Sequence, residues 1–211
     1  MTTSKNNKKI IIIDLNISNV GSVFRAIKSF EKNVFISDKV KDLAQASHII
    51  LPGVGTYENG MKKLNSNDLA ESLKSIVNIK KIPILGICLG MQLFSTKGYE
   101  NNKVTNGLDL IEGEVIKFDI EKNFKLPHVG WNSVNFLSKN ALFSGINNDV
   151  DFYFTHGYHF SCKNVDNILS KTNYGINFCS TIKKNNIFGV QFHPEKSLKN
   201  GIKLLKNFVN F

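Results

Sequence analysis

An α/β fold is predicted: three layers, with a central mixed and mostly parallel sheet and helices on both of its faces. Two observations predict it. Through the first half, short apolar runs such as Ile10-Ile11-Ile12-Ile13 alternate with amphipathic stretches across short links. Wholly apolar strands joined through helices are the signature of a parallel sheet covered on both sides. The second half trades helices for further short strands, so a single mixed-sheet domain over 10–211, behind a flexible lead over 1–9, is the simplest account.

Each element has its own warrant. The four isoleucines before Asp14 read as a strand buried on both faces. A loop with Asn16, Ser18 and Asn19 follows, then a helix that gathers Val23, Ala26, Ile27 and Phe30 on one side. Val34-Phe35-Ile36 is a second strand, and His48-Ile49-Ile50-Leu51 a third that stops at Pro52-Gly53-Val54-Gly55. Leu69, Leu73, Ile76 and Val77 recur at helical spacing in a helix expected over 67–79. Pro83-Ile84-Leu85-Gly86-Ile87 is a fourth strand, and the next helix is expected to begin at Met91 to Phe94. Residues 108–118 read as two strands around a turn. Short strands at 151–154, 175–178 and 187–192 follow, and Ile202, Leu205 and Phe208 mark a closing helix.

Bulk properties exclude several functions. No stretch of the 211 residues approaches the ~20 apolar residues of a membrane span, and the first nine residues do not make a signal peptide. Neither a membrane nor a secretory route is expected, which leaves the cytoplasm. The formal charge of +10 invites a nucleic-acid partner, but Arg25 is the sole arginine and the lysines are scattered among asparagines. Phosphate and base recognition favours the planar guanidinium fork, so no nucleic-acid partner is expected. Cys88, Cys162 and Cys179 form neither an even disulfide set nor a zinc-ligand spacing, and neither metal nor cofactor is expected.

The chemistry concentrates in two segments. Cys88 falls where a buried strand gives way to a helix, with Gly86 and Gly90 two residues to either side. Such a turn exposes the thiol at the sheet edge, and backbone N–H groups beyond it can lower its pKa and hold an oxyanion. His193 and Glu195 lie two residues apart across Pro194, so the carboxylate can hold one ring nitrogen and leave the other for Cys88. Nucleophile, base and orienting group are then all present for acyl transfer. Pro52-Gly53-Val54-Gly55 ends a strand that parallel order can place beside Cys88; it is not a phosphate loop, because no Gly-Lys-Ser/Thr follows. His156, His159 and Cys162 lack a fourth soft ligand at a metal-site spacing, and a loop beside the active site is the better reading. His128 and Trp131 suit an active-site wall or a partner surface, and His48 the edge of the core.

These motifs resemble the class I (triad-type) glutamine amidotransferases, and among them the glutaminase subunits of imidazole glycerol phosphate synthase. The resemblance runs from Ile10 to Phe208 through segments 51–55, 83–92, 107–115, 127–132, 156–158 and 189–197. It implies the flavodoxin-like fold of that class, with Cys88 as nucleophile, His193 as base and Glu195 as its orienting partner. It further implies that Gln92 and Glu100 help hold L-glutamine, and that Gly53, Val54 and Leu89 form the oxyanion hole. Gly157 and Tyr158 would contact glutamine through the backbone. Asn16, Asn19 and Trp131 fall on segments expected to face a partner. That partner would be a (β/α)₈ cyclase subunit or, in a paralogous branch, an N-acetyl sugar amidotransferase of surface-glycan synthesis. Two segments depart from the pattern. Asp14-Leu15-Asn16-Ile17-Ser18-Asn19 lacks two glycines usual in its loop, and His156-Gly157-Tyr158 replaces His-Ser-Tyr.

Overall fold

The computed structural model describes residues 8–66, 68–122 and 124–211. Of the expected lead over 1–9, residues 1–7 lie outside these, while the Lys9 N–H donates to Ser47 Oγ at 2.9 Å. Asn67, the expected start of a helix, also lies outside. The first half runs β1 (Ile10–Ile13), α1 (Val20–Lys28), β2 (Val34–Ser37), α2 (Val40–Leu43), β3 (His48–Gly53), α3 (Tyr57–Ser66), α4 (Leu69–Asn78), β4 (Ile84–Cys88) and α5 (Leu89–Gln92). The second half is mostly strand: β5 (Lys97–Glu100), β6 (Lys103–Asn106), β7 (Gly113–Lys117), β8 (His128–Phe136), β9 (Val150–His156), β10 (Tyr158–Cys162), β11 (Ile168–Tyr174), β12 (Ile176–Lys184) and β13 (Ile187–Val190), closed by α6 (Leu198–Val209).

Nine strands form one mixed sheet in the order β2-β1-β3-β4-β13-β12-β11-β8-β9. From β2 to β13 the pairing is parallel, and from β13 to β9 it is antiparallel. A second sheet, β10-β7-β5-β6, was not foreseen. Helices cover both faces because the strands are apolar on both. Ile11 and Ile13 join the core under α3 and α4 (Met61, Leu64, Leu73, Val77). Ile10 and Ile12 join the opposite core under α1 and α6 (Val23, Ile27, Leu204, Phe208). No helix among the described residues is long and apolar enough to cross a membrane.

The placement of β13 makes the site. It is the last strand of the chain, yet it inserts beside β4 with Val190 opposite Ile87. On the other side of β4, Gly53 of β3 pairs with Cys88. The C-terminal ends of β3, β4 and β13 therefore meet at one edge, where loops of a parallel sheet build ligand sites.

Three local expectations are corrected. The helix beyond Cys88 is a single turn, Leu89–Gln92, because the Leu93 and Phe94 carbonyls accept N–H groups from Leu108, Leu110 and Ile111 rather than from a further turn. For the same reason 108–112 is no strand: its apolar residues are buried as a plug, and only Gly113–Lys117 pairs. Helix α3 was not expected, since Gly60 and the polar residues around it mask the period of Tyr57, Met61 and Leu64.

Candidate active site

Cys88 ends β4 with φ 54° and ψ −111°, a conformation that costs a non-glycine residue about 1–3 kcal/mol and persists only where its surroundings over-determine it. The surroundings here are two glycines. A Cβ on Gly86 would lie 2.6 Å from the Met91 nitrogen, and one on Gly90 would lie 1.7 Å from the Leu51 carbonyl oxygen. Hydrogen at Gly86 lets the backbone of Gly90 and Met91 fold back over β4, and hydrogen at Gly90 lets the elbow lie against β3. The sulfur that results is buried, accepts an N–H from Gln191 Nε2 at 3.6 Å and lies 3.7 Å from the Thr155 carbonyl oxygen, to which the thiol donates.

His193 Nδ1 and Glu195 Oε1 are 2.8 Å apart, both side chains about 95% buried. The reach differs from the expected extended pair. β13 ends at Val190, and residues Pro194–Lys196 form a 3-10 turn with His193 as its N-cap. Pro194 suits the first position of that turn because its missing N–H would have no helical partner. Nε2 of His193 has no hydrogen bond within the protein. Burial disfavours a charged imidazole, yet the neighbouring Cys88 and Glu195 outweigh it and hold His193 well above its usual value. An imidazole stabilised as its cation beside a sulfur is what a thiolate nucleophile needs.

A pocket of about 120 Å³ opens over Cys88. It is lined by Val54, Leu89, Gln92, Glu100, Gly157 and Tyr158 among others, so six of the seven expected oxyanion and substrate residues are brought together. Gly53 pairs with Cys88 in the sheet and lines a smaller cavity behind His193; a Cβ there would sit 3.0 Å from Leu89 Cβ. One Glu100 oxygen accepts the Tyr57 N–H at 2.6 Å. A larger groove of about 670 Å³ spans residues 136–148, but its lining has no cysteine, histidine or carboxylate.

The expected partner residues lie outside the substrate pocket. Asn19 lines the small cavity with His193 and Lys196, and its side chain also caps α1 by accepting the Ser22 N–H. Asn16 is exposed at φ 55°, a left-handed position that asparagine tolerates best after glycine. Trp131 is 49% exposed on β8, edge-on to Tyr153. His128 faces the other way, buried against His156, and His48 packs on Phe208. Among the described residues no group of three or more His, Cys, Asp or Glu is arranged to hold a metal.

Sequence reasoning missed Gln191 and Thr155. Strand alternation could have found Gln191, which shares a face with His193 two residues on. Thr155 acts through its carbonyl, which leaves no mark in residue type.

The glutamine amidotransferase class-I family model matches residues 11–211. The chain belongs to the class-I glutamine amidotransferase family. It is 46% identical to imidazole glycerol phosphate synthase subunit HisH 1 of Campylobacter jejuni subsp. jejuni, over 94% of this chain and 98% of the relative. It is 45% identical to subunit HisH of Methanocaldococcus jannaschii, over 94% and 97%. Among solved structures it superposes on a glutamine amidotransferase from Thermotoga maritima with a TM-score of 0.63 at 18% identity, covering 97% of this chain and 84% of that one. The glutaminase domain of Trypanosoma brucei CTPS superposes with a TM-score of 0.68 at 16% identity, covering 97% and 94%. At such identities these two likenesses show the fold alone.

Proposed function

We propose that this class-I amidotransferase chain is the glutaminase subunit of an imidazole glycerol phosphate synthase, hydrolysing L-glutamine and passing ammonia to a (β/α)₈ cyclase subunit. The observation that carries the chemistry is the buried His193–Glu195 pair at 2.8 Å beside the strained Cys88. What supports the pathway is 39–46% identity to HisH subunits over nearly their whole length.

In this reading the Cys88 thiolate attacks the side-chain amide carbon of glutamine. Backbone N–H groups at Val54 and Leu89 receive the oxyanion, where fixed dipoles in a dry pocket act most strongly. His193, holding the proton taken from the thiol, gives it to the departing nitrogen; Glu195 supports the imidazolium. Water activated by the now neutral His193 hydrolyses the thioester. Gln92 has both N–H groups committed, to Tyr158 O and Gln191 Oε1 at 3.0 Å each. Its contact with substrate then falls to its carbonyl oxygen. Asn16, Asn19 and Trp131 would meet the partner. Asn19 and Lys196 border the cavity behind His193, while Lys196 and Trp131 both lie against the Tyr153 ring.

A second acceptor has one observation in its favour: Methanococcus maripaludis carries two numbered HisH relatives, at 43% and 41% identity. The test is glutamate release by this chain alone, with the barrel cyclase, and with an N-acetyl sugar amidotransferase, each with its acceptor. Stimulation by the cyclase and its nucleotide ligand is expected. Stimulation by the sugar enzyme alone would move the chain to surface-glycan synthesis.

A further inference from the structure

Behind the substrate pocket, a run of buried polar side chains reaches from β8 to the nucleophile. Asn132 Nδ2 lies 3.3 Å from His128 Nε2, and His128 Nδ1 lies 3.0 Å from His156 Nε2. His156 Nδ1 is 2.8 Å from the Tyr158 carbonyl oxygen, which also accepts from Gln92 Nε2 at 3.0 Å. Gln92 Nε2 donates its other proton to Gln191 Oε1 at 3.0 Å, and Gln191 Nε2 reaches Cys88 Sγ at 3.6 Å. His128, His156, Gln92 and Gln191 are all buried.

The proton order along this run has one solution. A carbonyl only accepts, so His156 Nδ1 must carry hydrogen; its ring is neutral, so Nε2 accepts and His128 Nδ1 donates. His128 Nε2 then accepts from Asn132, whose second N–H goes to the Asn173 carbonyl at 2.9 Å. The Tyr158 oxygen spends both lone pairs, and Gln92 both hydrogens. Gln191 cannot flip, because a flip would set its nitrogen against the Gln92 nitrogen and its oxygen against the sulfur.

We propose that Gln191 is a catalytic residue that donates an N–H to the Cys88 thiolate, and that His128 and His156 are positioning residues that hold it there through Tyr158 and Gln92. Such a donor adds to what His193 supplies. A hydrogen bond to the charged form favours that form, while the Thr155 carbonyl on the same sulfur favours the protonated thiol. The titratable groups sharing the pocket with the sulfur are Glu100 from β5, His156 at the end of β9 and Tyr158 of β10. His193, after β13, faces the sulfur from the other side. The Glu100 carboxylate opposes the thiolate, the neutral His156 adds no charge, and His193 supports it. The outer end of the run sits at half-buried Asn132, next to exposed Trp131, so a partner held by Trp131 would touch it.

This inference rests on Cys88 being the nucleophile, and the test separates the two. Iodoacetamide alkylation of the full chain is followed peptide by peptide from pH 5 to 10, with Cys162 and Cys179 as internal references. In the wild type Cys88 reacts first. In Gln191→Met the alkylation pKa of Cys88 rises by about one unit, so that on the acid limb of the profile, below the wild-type midpoint, alkylation slows about tenfold. Gln191→Glu, which keeps the acceptor for Gln92 but turns a carboxylate oxygen to the sulfur, slows it further. His128→Phe keeps the ring stacked on Phe154 and Tyr174 and slows alkylation about two- to threefold, the effect of a loosened rather than lost donor. His128→Asn, with a nitrogen near the lost Nδ1, recovers part of it. An unchanged profile in Gln191→Met overturns the proposal with the nucleophile intact. An unchanged profile in His128→Phe overturns the positioning role, and it decides alone if the Gln191 variants do not fold. A wild-type Cys88 no faster than Cys162 removes the nucleophile and this proposal together.

Discussion

The two halves of the large sheet hold the site by different physics. In the parallel half, β3 and β4 are apolar on both faces, and what sets Cys88 in place is steric: the absent side chains of Gly86 and Gly90. In the antiparallel half, β8 and β9 bury histidines in their inner face, and what sets the surroundings is a sequence of hydrogen bonds from Asn132 to Tyr158. One side fixes where the sulfur is, and the other fixes what faces it. The first should therefore fail by collision and the second by loss of a proton or a donor. β13 joins them, since it pairs with β4 on one edge and β12 on the other and leads to His193.

The largest effects belong to the seam itself. Cys88→Ala is expected to cut glutamate release by the partnered enzyme by about 10⁶-fold, since a triad without its nucleophile keeps only binding and oxyanion stabilisation. Glu195→Gln keeps the shape but removes the charge supporting the imidazolium, and about 10⁴-fold is expected, the usual cost of losing an orienting carboxylate. With that carboxylate gone His193 moves down toward its usual value, which ¹H–¹⁵N spectra of the ring would show. Activity in either variant within tenfold of wild type would separate the seam from the chemistry.

Next comes collision in the parallel half. Gly90→Ala places a Cβ against Leu51 backbone, which cannot move without moving β3. A loss of about 3 kcal/mol or more is expected, at the upper end for overpacking, and urea unfolding measures it. If the variant melted like the wild type, the elbow would not be held by sterics.

The antiparallel half should instead answer to pH. Burial pulls His128 to about 4 and His156 to about 3. The unfolded chain takes up protons near pH 6.5 that the folded chain refuses. Their contribution to stability is then complete above that value and falls as pH drops from 6.5 toward 4, by up to about 1.4 kcal/mol per unit for each such histidine, whereas His193, held above its usual value, contributes in the opposite sense above 6.5. His48, pulled to about 4 by burial and Lys8, adds to the same slope from the parallel side. His128→Phe removes one proton from the slope, and urea midpoints between pH 4.5 and 7 should show the shallower line. Parallel lines for wild type and variant would mean that His128 is protonated without cost.

How much of this was legible depends on the kind of force. Apolar burial marks the sequence strongly, so β1, β3, β4 and α4 were readable from runs and periods. The proposed triad stood out for another reason, because a cysteine between glycines and a His-Pro-Glu have few other uses together. The hydrogen-bonded half was not. Strands β5 and β6 are mostly polar, β5 half-buried and β6 mostly exposed, with no apolar alternation to betray them. The 108–112 plug carries leucine and isoleucine like a strand, but its backbone bonds to Leu93 and Phe94, contacts far apart in sequence. Gln191 was in view beside His193, yet its role depends on Gln92, 99 residues away, and no local pattern announces that.

Gly157 is the smallest case and the one that isolates side chain from backbone. The resemblance expects serine here, and the absence of a hydroxyl could be a defect in the glutamine pocket or a neutral change. The space favours the second. A Cβ at 157 would meet nothing nearer than Pro127 Cβ at 4.0 Å, and the residue is not in the left-handed region that demands glycine. The neighbouring Tyr158 carbonyl is held by His156 and Gln92, neither of which involves the 157 side chain. Gly157→Ser should thus move stability and the glutamine KM by less than about 0.5 kcal/mol, the range of substitutions that touch nothing. A KM lowered tenfold by the serine would show instead that the hydroxyl, and not the hydrogen-bonded frame behind it, holds the substrate.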